Sequence, residues 1–189
     1  MNSALRTPHS ALAFVALGSN LGNSLEIIWR AMDRLQDFSD APVRRSSVWE
    51  TTPVDCPPGG ANFLNAAVGL AARAAESPEI LLEKLQALEK EFGRAPKKIP
   101  NEPRPLDLDL IAFGPETRSS KNLVLPHPRA HLRRFVLEPL NEIAPHLVLP
   151  GQQAPVAQLL RNLRSDEIVR RVASGSRRAG PNFSSKRAR

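Results

Sequence analysis

The sequence predicts an α+β fold in which an antiparallel sheet carries its two main helices on one face, with further helical segments towards the C-terminus. Three observations carry this. Four short apolar runs, at 11–17, 43–50, 63–71 and 106–113, alternate with two helical patterns in the order β-α-β-β-α-β. Gly and Pro clusters punctuate the junctions. A chain of 189 residues, 41% hydrophobic and 24% charged, suits one domain and is short for two.

Residues 1–10 read as a loose leader, and 11–172 as the single folded domain. Ala11–Leu17 is an apolar strand that ends at the turn cluster Gly18-Ser19-Asn20. A helix starts near Asn23 or Ser24, both good caps, and places Leu25, Ile28, Met32 and Leu35 on one face. Pro42 precedes the second strand, Val43–Glu50. The stretch Thr51–Gly60 is a loop, being too rich in Pro and Gly for a regular element. Phe63–Ala71 is the third strand. Ser77-Pro78-Glu79 opens the second helix with a cap, a proline at the first helical position and an acid in the first turn. Leu81, Leu85, Leu88 and Phe92 mark its buried face, and Gly93 ends it. A second loop, Ala95–Pro105, holds four prolines. Leu106–Phe113 is the fourth strand. His127–Asn141 is helical in part and is expected to pack over an end of the sheet.

Charge and cysteine content exclude several classes. The net charge of +7 is concentrated at the end of the chain, where 173–189 holds Arg177, Arg178, Lys186, Arg187 and Arg189 and no acid. An Arg-, Ser- and Gly-rich end of this kind reads as a solvated, disordered tail. One cysteine, Cys56, rules out a disulfide framework and a cysteine-based zinc site. No apolar run approaches the ~20 residues that span a bilayer. The expected location is the cytoplasm. With no Tyr in the chain, an aromatic clamp must use Phe, Trp or His.

The strongest chemical signal is Arg104-Pro105-Leu106-Asp107-Leu108-Asp109-Leu110. Residues i and i+2 of a strand face the same way, so Asp107 and Asp109 project together while the leucines fill the other face. Two like charges so placed repel, and Asp is a poor strand former; a hard cation removes the conflict. Mg²⁺ is commonly held by one or two carboxylates together with substrate phosphates. An ordinary half-buried strand with an acidic polar face gives the same pattern. Arg94, Lys97, Lys98, Arg104, His127, Arg129, His131, Arg133 and Arg134 surround the pair in sequence, and arginine forks match phosphate oxygens. Solvated surface charges account for many such residues. Gly18–Gly22 lacks the Lys and spacing of a P-loop and reads as a structural turn. The residues alone lead to a magnesium-dependent enzyme acting on a phosphorylated substrate.

The ordered segments Ala16–Gly22, Glu50–Val54, Phe63–Val68, Pro103–Asp109, Leu125–Arg129 and Arg134–Pro145 resemble the 6-hydroxymethyl-7,8-dihydropterin pyrophosphokinase family, over roughly Leu12 to Pro150. The resemblance implies a ferredoxin-like βαββαβ core and the transfer of pyrophosphate from ATP to the pterin hydroxymethyl group in folate biosynthesis, with AMP released. It also implies small-molecule substrates, with neither a membrane nor a specific nucleic acid as partner. Carried over by position, it implies that Asp107 and Asp109 bind Mg²⁺, two ions in the family, against the ATP phosphates. Phe63 and Phe135 would stack on the pterin, where a ring face suffices and the missing Tyr costs only a hydroxyl. Asn65 would read the pterin edge, an amide being both donor and acceptor. Thr51, Thr52, Pro53 and Val54 would line the same pocket. Gln86, Glu89, Arg104, His127 and Arg133 fall on nucleotide- or phosphate-contacting positions, and Arg94 and Arg104 on catalytic loop arginines.

The sequence departs from the family pattern in 95–103. Pro96 stands where a second arginine is common, Glu102 replaces a small residue, and Asn101 replaces an aromatic found in some relatives. Pro96, Pro100, Pro103 and Pro105 stiffen a loop expected to close over ATP, and Lys97 and Lys98 offer replacement charge. Gly59-Gly60 lacks a glutamine common before the pterin-side aromatic. Two alternatives follow from the residues. One is a catalytically impaired pterin- and nucleotide-binding relative. The other is a ferredoxin-like RNA-binding module, which the acidic fourth strand disfavours because it repels phosphate when no metal is present.

Overall fold

A computed structural model describes residues 11–52, 62–95 and 102–172. Residues 1–10, 53–61, 96–101 and 173–189 lie outside the described residues, and with them the expectations for a leader, a tail, Pro53, Val54 and most of the proline-rich loop. The main sheet is built from β1 (Leu12–Ser19), β2 (Arg44–Arg45), β3 (Trp49–Thr51), β4 (Phe63–Ala71), β5 (Asp107–Phe113) and β8 (Val169–Arg171). A small hairpin joins β6 (Arg118–Ser119) and β7 (Val124–Leu125). The α-helices among the described residues are α1 (Ser24–Leu35), α2 (Pro78–Glu91), α3 (Arg134–Ile143) and α4 (Val156–Asn162). In the sheet the order is β5-β1-β4-β3-β8, with β2 also on β4, and every pairing is antiparallel.

The helix boundaries follow local chemistry. Asn23 caps α1: its side chain accepts from Glu26 N at 3.4 Å and donates to the Glu26 carboxylate at 3.0 Å. Ser77 caps α2 by accepting from Ile80 N at 3.3 Å, and Pro78 fills the first helical position, where no amide is required. Gly93 follows the helix with φ +88°, a left-handed conformation that glycine adopts without a steric penalty.

Period-2 alternation divides the sheet between two cores. Ala13, Val15 and Leu17 of β1, Ala66, Val68 and Leu70 of β4, and Leu108 and Leu110 of β5 meet α1 and α2 through Ile28, Met32, Leu35, Leu81, Leu85 and Leu88. On the other face, Phe14, Ala67, Ile111 and Ala112 meet Val136, Leu137 and Leu140 of α3 and Val156 of α4. The C-terminal helices therefore cover part of the sheet's second face, and the expectation that they pack over its end is corrected. Ala67 and Ile111 supply the apolar footing that makes this face coverable.

Two strand boundaries and one buried stripe differ from expectation. β1 continues through Gly18 and Ser19, because Asn65 and Leu64 of β4 and Asp107 of β5 pair with them. The expected strand 43–50 is split into β2 and β3. Between them Ser46 Oγ accepts from Ala67 N at 2.8 Å, and Ser47 gives its N–H and hydroxyl to Glu142 at 2.9 and 2.7 Å. Side-chain bonds of this kind compete with a regular ladder. Leu25 is 37% exposed in the first turn of α1; Ala31 takes a place in the buried stripe instead.

Candidate active site

α3 begins at Arg134, and the part of the sheet's second face beyond its N-terminus forms the floor of a cavity of about 260 Å³. Gly18 of β1 lies between Asn65 of β4 and Asp107 of β5, and Ala16 pairs with Asp109. A Cβ on Gly18 would stand 3.4 Å from Asn65 Oδ1 and 3.8 Å from Asp107 Cβ, ordinary contact distances, so the missing methyl group leaves the floor open at this point without relieving a clash. Asn65 is 5% exposed and donates to Thr51 Oγ1 at 2.8 Å, which fixes the plane of its amide. The walls carry two phenyl rings, each beneath a guanidinium: Arg104 lies 5.9 Å from the Phe63 centroid and Arg133 lies 5.3 Å from that of Phe135.

Asp107 and Asp109 open from one face of β5 towards this cavity while Leu108 and Leu110 are buried behind them, as strand periodicity requires. Asp107 is paired with Arg94 at 2.7 Å and with Arg104 at 3.0 Å. Arg94 is in turn held by Glu89, which is 7% exposed and also accepts from Leu108 N at 2.7 Å. Glu89 thereby ties α2 to β5 directly beneath the aspartates. Arg104 is fixed from the other side, its N–H donating to Asn20 Oδ1 at 2.9 Å and its carbonyl accepting from Asn20 N at 3.2 Å.

The charges are partly withdrawn from water. Burial pushes the Asp109 carboxyl up, the negative Asp107 adds to this, and His127, Arg133 and Arg104 oppose it. Burial lowers His127, with Asp109 opposing the shift and Arg133 and Arg129 adding to it. Burial likewise lowers Arg133, helped by Arg129. Arg104 Nε is buried with no hydrogen-bond partner among the described residues. An excess of guanidinium donors around two carboxylates suits a polyanion bound through a cation.

Of the residues singled out in the sequence, Thr51, Thr52, Phe63, Asn65, Arg104, Asp107, Asp109, Arg133 and Phe135 line one cavity. Arg94 reaches it through its ion pair with Asp107, and His127 through its field on Asp109. Glu89 is turned inward under β5, whereas Gln86, three residues earlier on α2, is exposed; neither lines the cavity. Sequence reasoning did not assign Arg129, Leu132, Val136 or Glu167 to the cavity wall. Arg129 was visible as one of many nearby cations. Glu167 lies in a polar segment with no local signal.

The model of the family described as 7,8-dihydro-6-hydroxymethylpterin-pyrophosphokinase (HPPK) matches residues 14–145. A 2-amino-4-hydroxy-6-hydroxymethyldihydropteridine pyrophosphokinase of Haemophilus influenzae is 33% identical over 159 residues, covering 84% of this chain and 96% of the relative. The Bacillus subtilis protein of the same name is 38% identical over 133 residues, covering 70% of this chain and 77% of its own. The folic acid synthesis protein fol1 of Pneumocystis carinii is 34% identical over 155 residues; they make up 82% of this chain and only 20% of that much longer protein. In fold, the chain superposes on Plasmodium falciparum HPPK-DHPS with a TM-score of 0.64 at 13% identity, over 80% of this chain and 44% of the other.

Proposed function

The chain belongs to the 7,8-dihydro-6-hydroxymethylpterin-pyrophosphokinase family, and from that premise we propose how its cavity performs the family's reaction. The chain is an ATP-dependent pyrophosphokinase of folate biosynthesis: it transfers pyrophosphate from ATP to 6-hydroxymethyl-7,8-dihydropterin and releases AMP. One observation carries the assignment of the site, namely that two phenyl walls and a carboxylate pair flanked by arginines share a single cavity. The strand order β5-β1-β4-β3 supports a ferredoxin-like arrangement of the core.

Phe63 and Phe135 hold the flat bicyclic ring by stacking, and Asn65, its amide fixed by Thr51, reads the ring edge. The described residues Thr51 and Thr52 close the same end of the cavity. The ring's hydroxymethyl oxygen is then directed towards the β-phosphorus of ATP. The new O–P bond forms as the bond from the β-phosphorus to the α-phosphate oxygen breaks; AMP leaves and the hydroxyl proton is released to water. Arg94 and Arg104, both at Asp107, present guanidinium forks to phosphate oxygens there, and Arg133 adds a third from the α3 side. Catalysis on this reading is positioning plus neutralisation of spreading charge.

Asp107 and Asp109 fit a magnesium ion. They offer hard oxygen ligands on one strand face. The described residues contain no group of three or more His, Cys, Asp or Glu able to form a complete protein cage. Mg²⁺ completes its shell with phosphate and water, so one or two carboxylates suffice. When bound, it supplies charge neutralisation on the phosphates. No helix among the described residues is long and apolar enough to cross a membrane. A cytoplasmic location belongs to the same reading, supported by the use of ATP and the single cysteine.

The test is AMP formation from ATP with and without hydroxymethyl-dihydropterin and Mg²⁺. AMP is expected only when all three are present. A folded chain that binds the pterin yet forms no AMP would overturn the catalytic reading in favour of a binding-only relative.

A further inference from the structure

We propose that Glu167, which lies beyond the region matched by the family model, is a positioning residue for the pterin: it fixes the first turn of α3 and with it the Phe135 ring. The inference rests on the functional reading above and deepens it.

α3 starts without a side-chain cap of its own. Its N-cap residue is Arg133, whose side chain makes no capping bond. The first amides of a helix have no partner within the helix, and Ser, Thr, Asp or Asn usually supplies one locally. Here a carboxylate from 32 residues further on does so: Phe135 N donates to Glu167 Oε2 at 3.1 Å. A negative charge also suits the positive end of the helix dipole. The amide so held belongs to the residue whose ring forms one wall of the cavity, and Glu167 lines that same cavity.

Glu167 is itself fixed to the opposite wall. Its N–H donates to Ser165 Oγ at 3.2 Å. Its neighbour Ile168 donates to Thr52 Oγ1 at 3.4 Å and accepts from Thr52 N at 3.2 Å. β8 then pairs with β3, Val169 standing opposite Thr51. One carboxylate thus braces the Thr51–Thr52 edge against the start of α3, setting the gap between the strand that orients Asn65 and the ring of Phe135. The apolar anchors of α3, Val136, Leu137 and Leu140, lie in the second core and do not depend on it. Loss of the brace is therefore expected to misplace the ring without unfolding the helix.

The experiment compares the full chain with its Glu167→Ala and Glu167→Gln variants, measuring hydroxymethyl-dihydropterin binding at equilibrium, kcat, KM for each substrate, and Tm. Glu167→Ala is expected to raise the pterin Kd and KM roughly three- to thirty-fold, the range of a lost helix cap, with kcat within about twofold of wild type. Glu167→Gln keeps an amide oxygen able to accept from Phe135 N and is expected to restore most of the affinity. An unchanged pterin KM in Glu167→Ala overturns the inference. So does a joint loss of kcat and Tm in both variants with no selective rise in pterin KM. Failure of the wild-type chain to bind the pterin overturns the functional reading and this inference with it. Normal wild-type binding with an indifferent Glu167→Ala overturns this inference alone.

Discussion

A carboxylate held between two guanidinium groups is already neutralised, and Asp107 is in that position, with Arg94 at 2.7 Å and Arg104 at 3.0 Å. Asp109, two residues along the same face, has its charge opposed by burial and by Asp107. The repulsion that the spacing implies is countered in this structure by Arg94 and Arg104 on Asp107 and by the fields of His127, Arg133 and Arg104 at Asp109. The same two residues can take up a hard cation because both open into the cavity rather than into either core. Asp107→Ala and Asp109→Ala are each expected to reduce AMP formation by at least about a hundredfold, in the range of lost electrostatic stabilisation at a phosphoryl site. Both variants should retain the wild-type circular-dichroism spectrum, since neither side chain contributes to the cores. Near-wild-type turnover in both variants would remove the pair from its proposed role. The pairing of these aspartates was legible from strand periodicity alone. The roles proposed for Phe63, Asn65 and Phe135 were not: nothing in their local spacing marks them, and the proposal rests on the resemblance of ordered segments.

At the scale of the element, caps and periodic stripes were legible because each is decided within four residues of chain. Asn23 and Ser77 bond amides three residues on, and Leu81, Leu85 and Leu88 fall on one side of a 3.6-residue turn. Leu85→Ala, at a position with 0% exposure, is expected to destabilise the fold by about 2–5 kcal/mol, read from the urea midpoint. Leu25→Ala, though on the stripe the sequence suggests, should cost under about 0.5 kcal/mol because its side chain faces solvent. A large loss at Leu25 would mean that the first turn of α1 packs more deeply than its exposure indicates. The break between β2 and β3 was not legible. It depends on Glu142 of α3, which gathers Ser47 and Trp49 from one stretch of chain and Arg171 from another.

At the scale of the whole molecule, the described fold closes with β8, which extends the sheet beside β3, and with Val172, whose N–H donates to Val48 O at 2.8 Å. We propose that 173–189 are dispensable: removing them is expected to leave AMP formation and Tm unchanged. Truncation before Glu167 removes β8 and the brace on α3 together. It is expected to raise the pterin KM and to lower Tm by roughly 2–4 °C for each kcal/mol lost. Parallel losses of Tm and activity in the shorter truncation would show that the basic end docks on the domain.

What the sequence determined by itself was whatever short-range physics decides: two capped amphipathic helices, a β-α-β-β-α-β order, and two aspartates on one strand face. Those features depend on the 2-residue and 3.6-residue periods and on hydrogen bonds that close within a turn. The tertiary structure decided the rest. It placed α3 and α4 on the second face of the sheet and left Gly18, Asn65, Asp107 and Asp109 beyond the start of α3. It turned Glu89 inward to hold Arg94, and it brought Glu167 to the amide of Phe135. Each of these is a contact between residues whose separation along the chain carries no periodic signal. Only the packing of one layer on another brings them within hydrogen-bonding distance.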